Sequence, residues 1–382
     1  MARINNAVTP NGEPLFLQYL HARGKTLGFP VSVTFELTSR CNFQCRMCYI
    51  HTQEDNACAG QELSAAQWLD IGRQARDAGV MTVLLTGGEP LLRKDFPEIF
   101  SGLKKLGLLV SVNTNGSLLS GDLAELFIND PPERLNVSLY GASEETYEAL
   151  CGRACCGEVL TNIKNMTSAG VQVRLNISVT PQNKNNLEAM LETAKALGVH
   201  CKATTYMYPP VRRISPAFGE NPARFSPEEA AFYRVKYDLL RLGKEGFLRR
   251  AASVSENGVG EMAECADPSQ EGEAIRCRAG TSACWINARG ELSACGMFSL
   301  HPHNVPVLGF AACWEEAKKE TALLRTPPEC VNCVLKNLCP ACAAVCYAET
   351  GGFAKAPRYA CEFSRASAKY IAETAERLQH GD

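Results

Sequence analysis

The sequence has no long basic run, no apolar run of membrane-spanning length and no export signal. Its 39 Lys and Arg face 41 Asp and Glu, a formal net charge of −2, which argues against a nucleic-acid-binding sleeve. No stretch approaches the roughly 18 consecutive apolar residues of a membrane helix. The N-terminal MARINNAVTPNGEPLFLQYL lacks the charged start, apolar middle and small-residue cleavage site of a signal peptide. The expectation is a soluble, cytoplasmic protein with no nucleic-acid and no membrane partner. Its 382 residues, 46% of them hydrophobic, suffice for one large α/β domain plus a smaller unit. Cysteine is in excess, with 19 in the chain. A reducing compartment disfavours disulfides, so clustered cysteines there point to metal or redox chemistry. Scattered buried thiols could account for Cys58, Cys201 and Cys313; they do not account for the clusters.

From residue 31 to 206, short β-branched or apolar runs alternate with amphipathic stretches. The runs are 31–37, 81–87, 108–114, 134–140, 171–179 and 200–208. Ser64 with Gln67 forms a capping box, and Trp68, Leu69, Ile71, Ala75 and Ala78 make one helical face. Segments 95–106, 119–128, 157–169 and 184–197 read the same way. Six strand–helix units in series predict a parallel sheet, curved or closed. Residues 209–225 carry four prolines and read as a linker, and Ser226-Pro227-Glu228-Glu229 opens a helix. From about 265 the chain is cysteine-dense and poor in periodicity, which suggests that metal holds it together. Residues 362–379 read as a closing helix.

Directly after the first strand stands Cys41-Asn-Phe-Gln-Cys45-Arg-Met-Cys48-Tyr49. Three thiolates within eight residues can grip three corners of a four-iron cluster and leave one iron open. A zinc knuckle with a distant fourth ligand is the structural alternative. The loop and its following aromatic resemble the CxxxCxxC signature of the radical S-adenosylmethionine enzymes. Gly87-Gly88-Glu89-Pro90 resembles that family's GGE motif, and Asn113-Thr114-Asn115-Gly116 and Ser138 fall where the family contacts the cofactor. The resemblance implies a partial (β/α)6 barrel over residues 31–208, after a lead-in at 1–30. It implies a cluster on Cys41, Cys45 and Cys48, and S-adenosylmethionine held near Tyr49, Gly87, Gly88, Glu89, Asn115 and Ser138, with Glu89 on the methionine ammonium. One-electron cleavage would release a 5′-deoxyadenosyl radical that abstracts hydrogen from a substrate.

Ten cysteines lie between 277 and 361, enough for two closed four-thiolate sites. They resemble the SPASM domain of peptide-modifying radical enzymes, here residues 265–382 after a linker and helix at 209–264. That resemblance implies two auxiliary 4Fe–4S clusters, one on Cys277, Cys284, Cys295 and Cys342, the other on Cys330, Cys333, Cys339 and Cys361. Only two residues separate Cys339 from Cys342, where the family has three, so Cys346 rivals Cys342 as a ligand. Two structural zincs are the alternative for the block. An anaerobically purified protein with three filled clusters should be brown and hold about twelve irons.

The resemblance implies a peptide or protein substrate and an electron donor such as flavodoxin or ferredoxin. Maturation of a ribosomally made peptide, by crosslinking or oxidation, competes with formylglycine formation in a sulfatase. In the sulfatase-maturing branch an aspartate follows the third SPASM cysteine, whereas Cys295 is followed by Gly296-Met297-Phe298. A non-catalytic carrier with three clusters is a third reading, disfavoured by the GGE segment. Only 40 residues precede Cys41, too few for a winged-helix leader-binding domain, so leader recognition is expected to use a separate leader-binding protein or the barrel itself, or not to occur. The vicinal Cys155-Cys156 and His301-Pro-His303 read as solvated loops.

Overall fold

The computed structural model describes residues 14–50, 62–212, 216–256, 272–275 and 277–380. Cys58 and residues 1–13 of the 1–30 lead-in fall outside them. The helices are α1 Leu15–Leu27, α2 Ala65–Asp77, α3 Phe96–Lys105, α4 Gly121–Asn129, α5 Glu144–Cys151, α6 Cys156–Ser168, α7 Leu187–Ala196, α8 Pro227–Glu256, α9 Val305–Leu308, α10 Phe310–Ala322, α11 Ala343–Thr350 and α12 Arg358–His380. The strands are β1 Ser32–Glu36, β2 Thr82–Thr86, β3 Leu109–Thr114, β4 Arg134–Leu139, β5 Val173–Ser178, β6 His200–Thr204, β7 Ala283–Ile286, β8 Glu291–Ser293 and β9 His303–Asn304. They form one sheet in the order β6-β5-β4-β3-β2-β1-β7-β8-β9. β1 to β6 pair in parallel and in chain order, as the six strand–helix units predict.

Strand periodicity sorts the residues into two faces. Val33, Phe35, Val83, Leu85, Val110, Val112, Leu135, Val137, Leu175 and Ile177 are buried under the helices. Phe35 meets Trp68 of α2 at 4.9 Å between ring centroids, and Phe96, Phe100 and Phe127 pack as an aromatic trio. The alternate residues on the other face are mostly polar, among them Thr86, Asn113, Asn136, Ser138, Asn176, Ser178 and Thr204. A wholly apolar inner face would fill itself with side chains; a polar one leaves room for a ligand.

The capping box forms as expected: Ser64 Oγ accepts from Gln67 N, and Gln67 Oε1 accepts from Ser64 N. Ser64→Ala should therefore cost about 1 kcal/mol of stability in chemical denaturation.

Several expectations need correction. The sheet continues beyond β1, because β7 pairs with it in parallel, Val33 opposite Cys284; the cysteine-rich C-terminal part is built onto the same sheet. That part is also more regular than its composition suggests, since α10 buries Phe310, Cys313, Trp314 and Ala317. α5, which the strand–helix reading passes over, is capped by Ser143. Residues 216–225 of the proline-rich stretch pack as a strap. Ala223 and Phe225 are buried, Gly219 N donates to Ala348 O at 2.9 Å, and Arg224 pairs with Glu349. The long helix α8 breaks at Gly243, whose φ of 67° is a left-handed value that glycine adopts without cost. The closing helix starts at Arg358, four residues early. Cys155 and Cys156 are buried, 4% and 3% exposed, because they begin α6 and face the core. His301 is exposed and His303 half-buried, both directed at Glu320.

Candidate functional site

The loop after β1 is pinned at several points. Gln44 N donates to Cys151 O at 2.9 Å and Arg46 N to Leu150 O at 3.0 Å, which fastens it to the end of α5. Asn42 bridges to the turn after β3, donating to Ser117 Oγ at 2.9 Å and accepting from Asn115 Nδ2 at 2.8 Å. Phe43, 1% exposed, anchors it in the core. These ties hold Cys41, Cys45 and Cys48 on the wall of one cavity of about 520 Å³. Cys151 lies behind Cys45, fully buried and off the cavity wall. Burial pushes the Cys41 thiol up to about 12, with Glu89 and the two neighbouring thiols acting in the same direction.

Tyr49, Gly87, Gly88, Asn115 and Ser138 line the same cavity. The two glycines have a packing reason. A Cβ on Gly87 would stand 2.5 Å from Thr38 O, and one on Gly88 2.3 Å from Arg40 O. The GG segment thus lies directly against the backbone that leads into the cysteine loop, and Gly88 N and Glu89 N donate to Thr38 O and Arg40 O, both at 2.8 Å.

Glu89 is placed differently from the rest. It is fully buried and does not line the cavity. Its carboxylate accepts from Leu91 N at 3.1 Å, Thr114 Oγ1 at 2.9 Å and Asn115 N at 2.7 Å. Burial pushes its carboxyl up to about 7, against the pull of those three donors. It ties the turn after β2 to the turn after β3 and so positions Asn115.

Residues that the motif reading did not single out complete the wall: Asn136, Asn176, Ser178, Thr204, Tyr206 and Tyr208. The signal for the first four was the period-two alternation of their strands. Tyr208 connects two regions. Its ring lies 6.0 Å from that of Tyr49, and its hydroxyl hydrogen-bonds the Cys342 thiol.

The C-terminal cysteines fall into two groups. Cys277 and Cys342 both act on Cys295, and Cys330 neighbours Cys333, Cys339 and Cys361. Cys342 stands at the N-terminus of α11, exposed, while Cys346 lies one turn on, buried, beside Cys330, Cys342 and Cys339. Cys284 departs from its expected set. On β7 it shares the core face with Ile286, 4% exposed, with Cys313 of α10 as its thiol neighbour. Trp285, on the opposite face, lines the cavity that contains Cys295. Strand alternation therefore turns Cys284 away from the other three. Cys284→Ala should leave iron per chain unchanged and cost on the order of 1 kcal/mol of core packing, read as iron content and melting temperature.

The donor set fits an iron–sulfur cluster with an open corner, since three thiols share a wall with polar backbone and side-chain groups. No helix of the described residues is long and apolar enough to cross a membrane.

Comparison with known proteins agrees with this geometry. Residues 35–196 match the Radical SAM superfamily. The chain is 27% identical over 345 residues to an AdoMet-dependent heme synthase of Methanosarcina barkeri, covering 86% of this chain and 96% of that protein. A probable GTP 3′,8-cyclase of Saccharolobus islandicus is 39% identical over 166 residues, 43% of this chain and about half, 53%, of the cyclase. Among solved structures, Streptococcus suis SuiB superposes with a TM-score of 0.64 at 17% identity, covering 93% of this chain and 84% of SuiB. AdoMet-bound anSMEcpe gives 0.67 at 17% identity, covering 92% of this chain and 100% of that one. The fold is the one shared by these enzymes, and residues 35–196 of this chain are a Radical SAM superfamily domain.

Proposed function

We propose that this radical SAM enzyme abstracts hydrogen from a peptide or protein substrate, with crosslinking or oxidation of a ribosomally made peptide as the outcome. The observation that carries the reading is the continuity from the Cys41–Cys45–Cys48 wall through Tyr49 and Tyr208 to Cys342. It places a second thiol group beside the reaction cavity, as expected for an enzyme that removes electrons from its product. The fold shared with SuiB, which has also been crystallised with its precursor peptide SuiA, supports a peptide substrate.

In this reading Cys41, Cys45 and Cys48 hold one 4Fe–4S cluster, and bound S-adenosylmethionine supplies a carbon radical by one-electron cleavage. The chain does the rest. Gly87 and Gly88 keep the cavity wall at backbone thickness, Asn115 and Ser138 offer polar groups to the cofactor, and Glu89 fixes Asn115. Cys330, Cys333, Cys339 and Cys361 hold one auxiliary cluster. Cys277, Cys295 and Cys342 hold another, without Cys284. A flavodoxin or ferredoxin delivers the electron, and a separate protein presents a leader where one is used.

The sulfatase-maturing alternative gains no base after Cys295. A Cβ at Gly296 would lie 2.5 Å from the Trp285 ring, so the space an aspartate needs there is filled by indole. A small-molecule substrate is the second reading, favoured by the heme synthase match along nearly the whole of both chains.

The test is incubation of reconstituted, reduced enzyme with peptides encoded beside its gene, followed by mass spectrometry. Loss of hydrogens from the peptide, with label from a deuterated peptide appearing in 5′-deoxyadenosine, is expected. Label transfer only from a non-peptide metabolite would replace this reading with the second.

A further inference from the structure

The inner face of the sheet continues below the cavity. Along β4, β5 and β6 the same-face residues run Arg134, Asn136, Ser138; Arg174, Asn176, Ser178; and His200, Lys202, Thr204. The upper members line the cavity, and the lower ones are basic: Arg134, Arg174 and Lys202, with the imidazole of His200 among them. In the register Arg174 stands beside His200, and Asn136 beside Arg174. Arg234 and Arg241 of α8 join the group, acting on Lys202 and His200 respectively.

This group has no matching anion among the described residues. Burial and neighbouring cations push Arg174, His200 and Lys202 down, and no carboxylate is among the main influences on any of the three. Arg174 Nε is buried and without a partner. Arg134 Nε donates to the neutral Asn136 Oδ1 at 3.1 Å. The one carboxylate packed nearby, Asp238, is already shared by Arg234, Arg241 and Arg250. Tyr237 and Cys201 are the remaining titratable groups that face Arg174. A solvated basic surface would leave each head group exposed; here one guanidinium nitrogen is buried with no acceptor among the described residues, and such a group costs free energy until an acceptor reaches it.

We propose that Arg134, Arg174, His200 and Lys202 form a binding site for a polyvalent anion, the carboxylate or phosphate groups of the substrate. Strand rise is about 3.3 Å per residue, so Arg174 lies roughly 13 Å below Ser178. A substrate anchored there by its charged end spans the inner face and presents its other end at the cysteine wall. Arginine suits this role because its planar head binds carboxylate or phosphate through two parallel hydrogen bonds. The inference deepens the proposed function and rests on it only for where the reacting end lies; binding is measured without turnover, so the two can fail separately.

The test is anaerobic calorimetric titration of the reconstituted holoenzyme at low ionic strength, with tripolyphosphate in one arm and tricarballylate in the other. Saturable binding of either is expected, tripolyphosphate assigning phosphate groups and tricarballylate assigning carboxylates. It should weaken at least tenfold in Arg174→Gln, severalfold in Lys202→Gln, and with added salt. Arg249→Gln, on a residue 76% exposed at its side chain, should bind as the parent does. Lys202 is exposed on the edge strand, so its variant carries the test if Arg174→Gln does not fold. Absence of saturable binding in both arms, or binding unchanged in Lys202→Gln, overturns the proposal.

Discussion

Replacing Cys41, Cys45 and Cys48 together with alanine should abolish 5′-deoxyadenosine formation and remove about four irons per chain. The C-terminal thiols should keep their iron, because no backbone tie described for the loop reaches them; it is fastened to Leu150, Cys151 and the turn after β3. The fold should survive, since Phe43 and Met47 remain buried and the three thiols stand at the cavity wall. Iron analysis and chromatography of the reaction mixture read both effects. Deoxyadenosine made by the triple variant would remove the loop from the chemistry.

Glu89→Ala should damage both stability and cofactor affinity, and the structure separates the two effects. Three donors lose their only shared acceptor in a fully buried place, at about 1–3 kcal/mol each if they stay unpaired. The unfolding free energy without cofactor should therefore fall by several kcal/mol. Affinity for S-adenosylmethionine should fall roughly ten- to a hundredfold, as Asn115 and the turn after β2 lose their fixed positions. A pH signature accompanies this. The Glu89 carboxyl is raised to about 7 in the folded chain, so between the unfolded value near 4.5 and 7 the folded state binds more protons. Its contribution to stability is greatest below that window and declines as pH rises through it. The difference between parent and variant should show that slope. A variant as stable as its parent, with the same pH profile, would make Glu89 an ordinary turn residue.

Much of this was legible in the residues. Short β-branched and apolar runs marked the six parallel strands β1 to β6, and Ser64 with Gln67 marked the start of α2, because those signals are local. The cysteine loop and the GG segment were legible because their chemistry needs particular residue types close together in sequence. Cys284 was not. The family resemblance grouped it with Cys277 and Cys295, and only the pairing of β7 with β1, a contact across 251 positions, decides which face it takes. Glu89 was read as a ligand contact, yet its three donors come from Leu91 and, more distantly, Thr114 and Asn115. The basic belt was hidden for a similar reason: Arg134, Arg174 and Lys202 are unremarkable singly, and the sheet register alone puts them side by side.

The most direct test of the central claim is the fate of S-adenosylmethionine on the parent protein. Anaerobically reconstituted enzyme, reduced with dithionite, should convert it to methionine and 5′-deoxyadenosine in equal amounts. A brown, iron-loaded protein that leaves S-adenosylmethionine intact would contradict the account and return the chain to the role of an electron carrier.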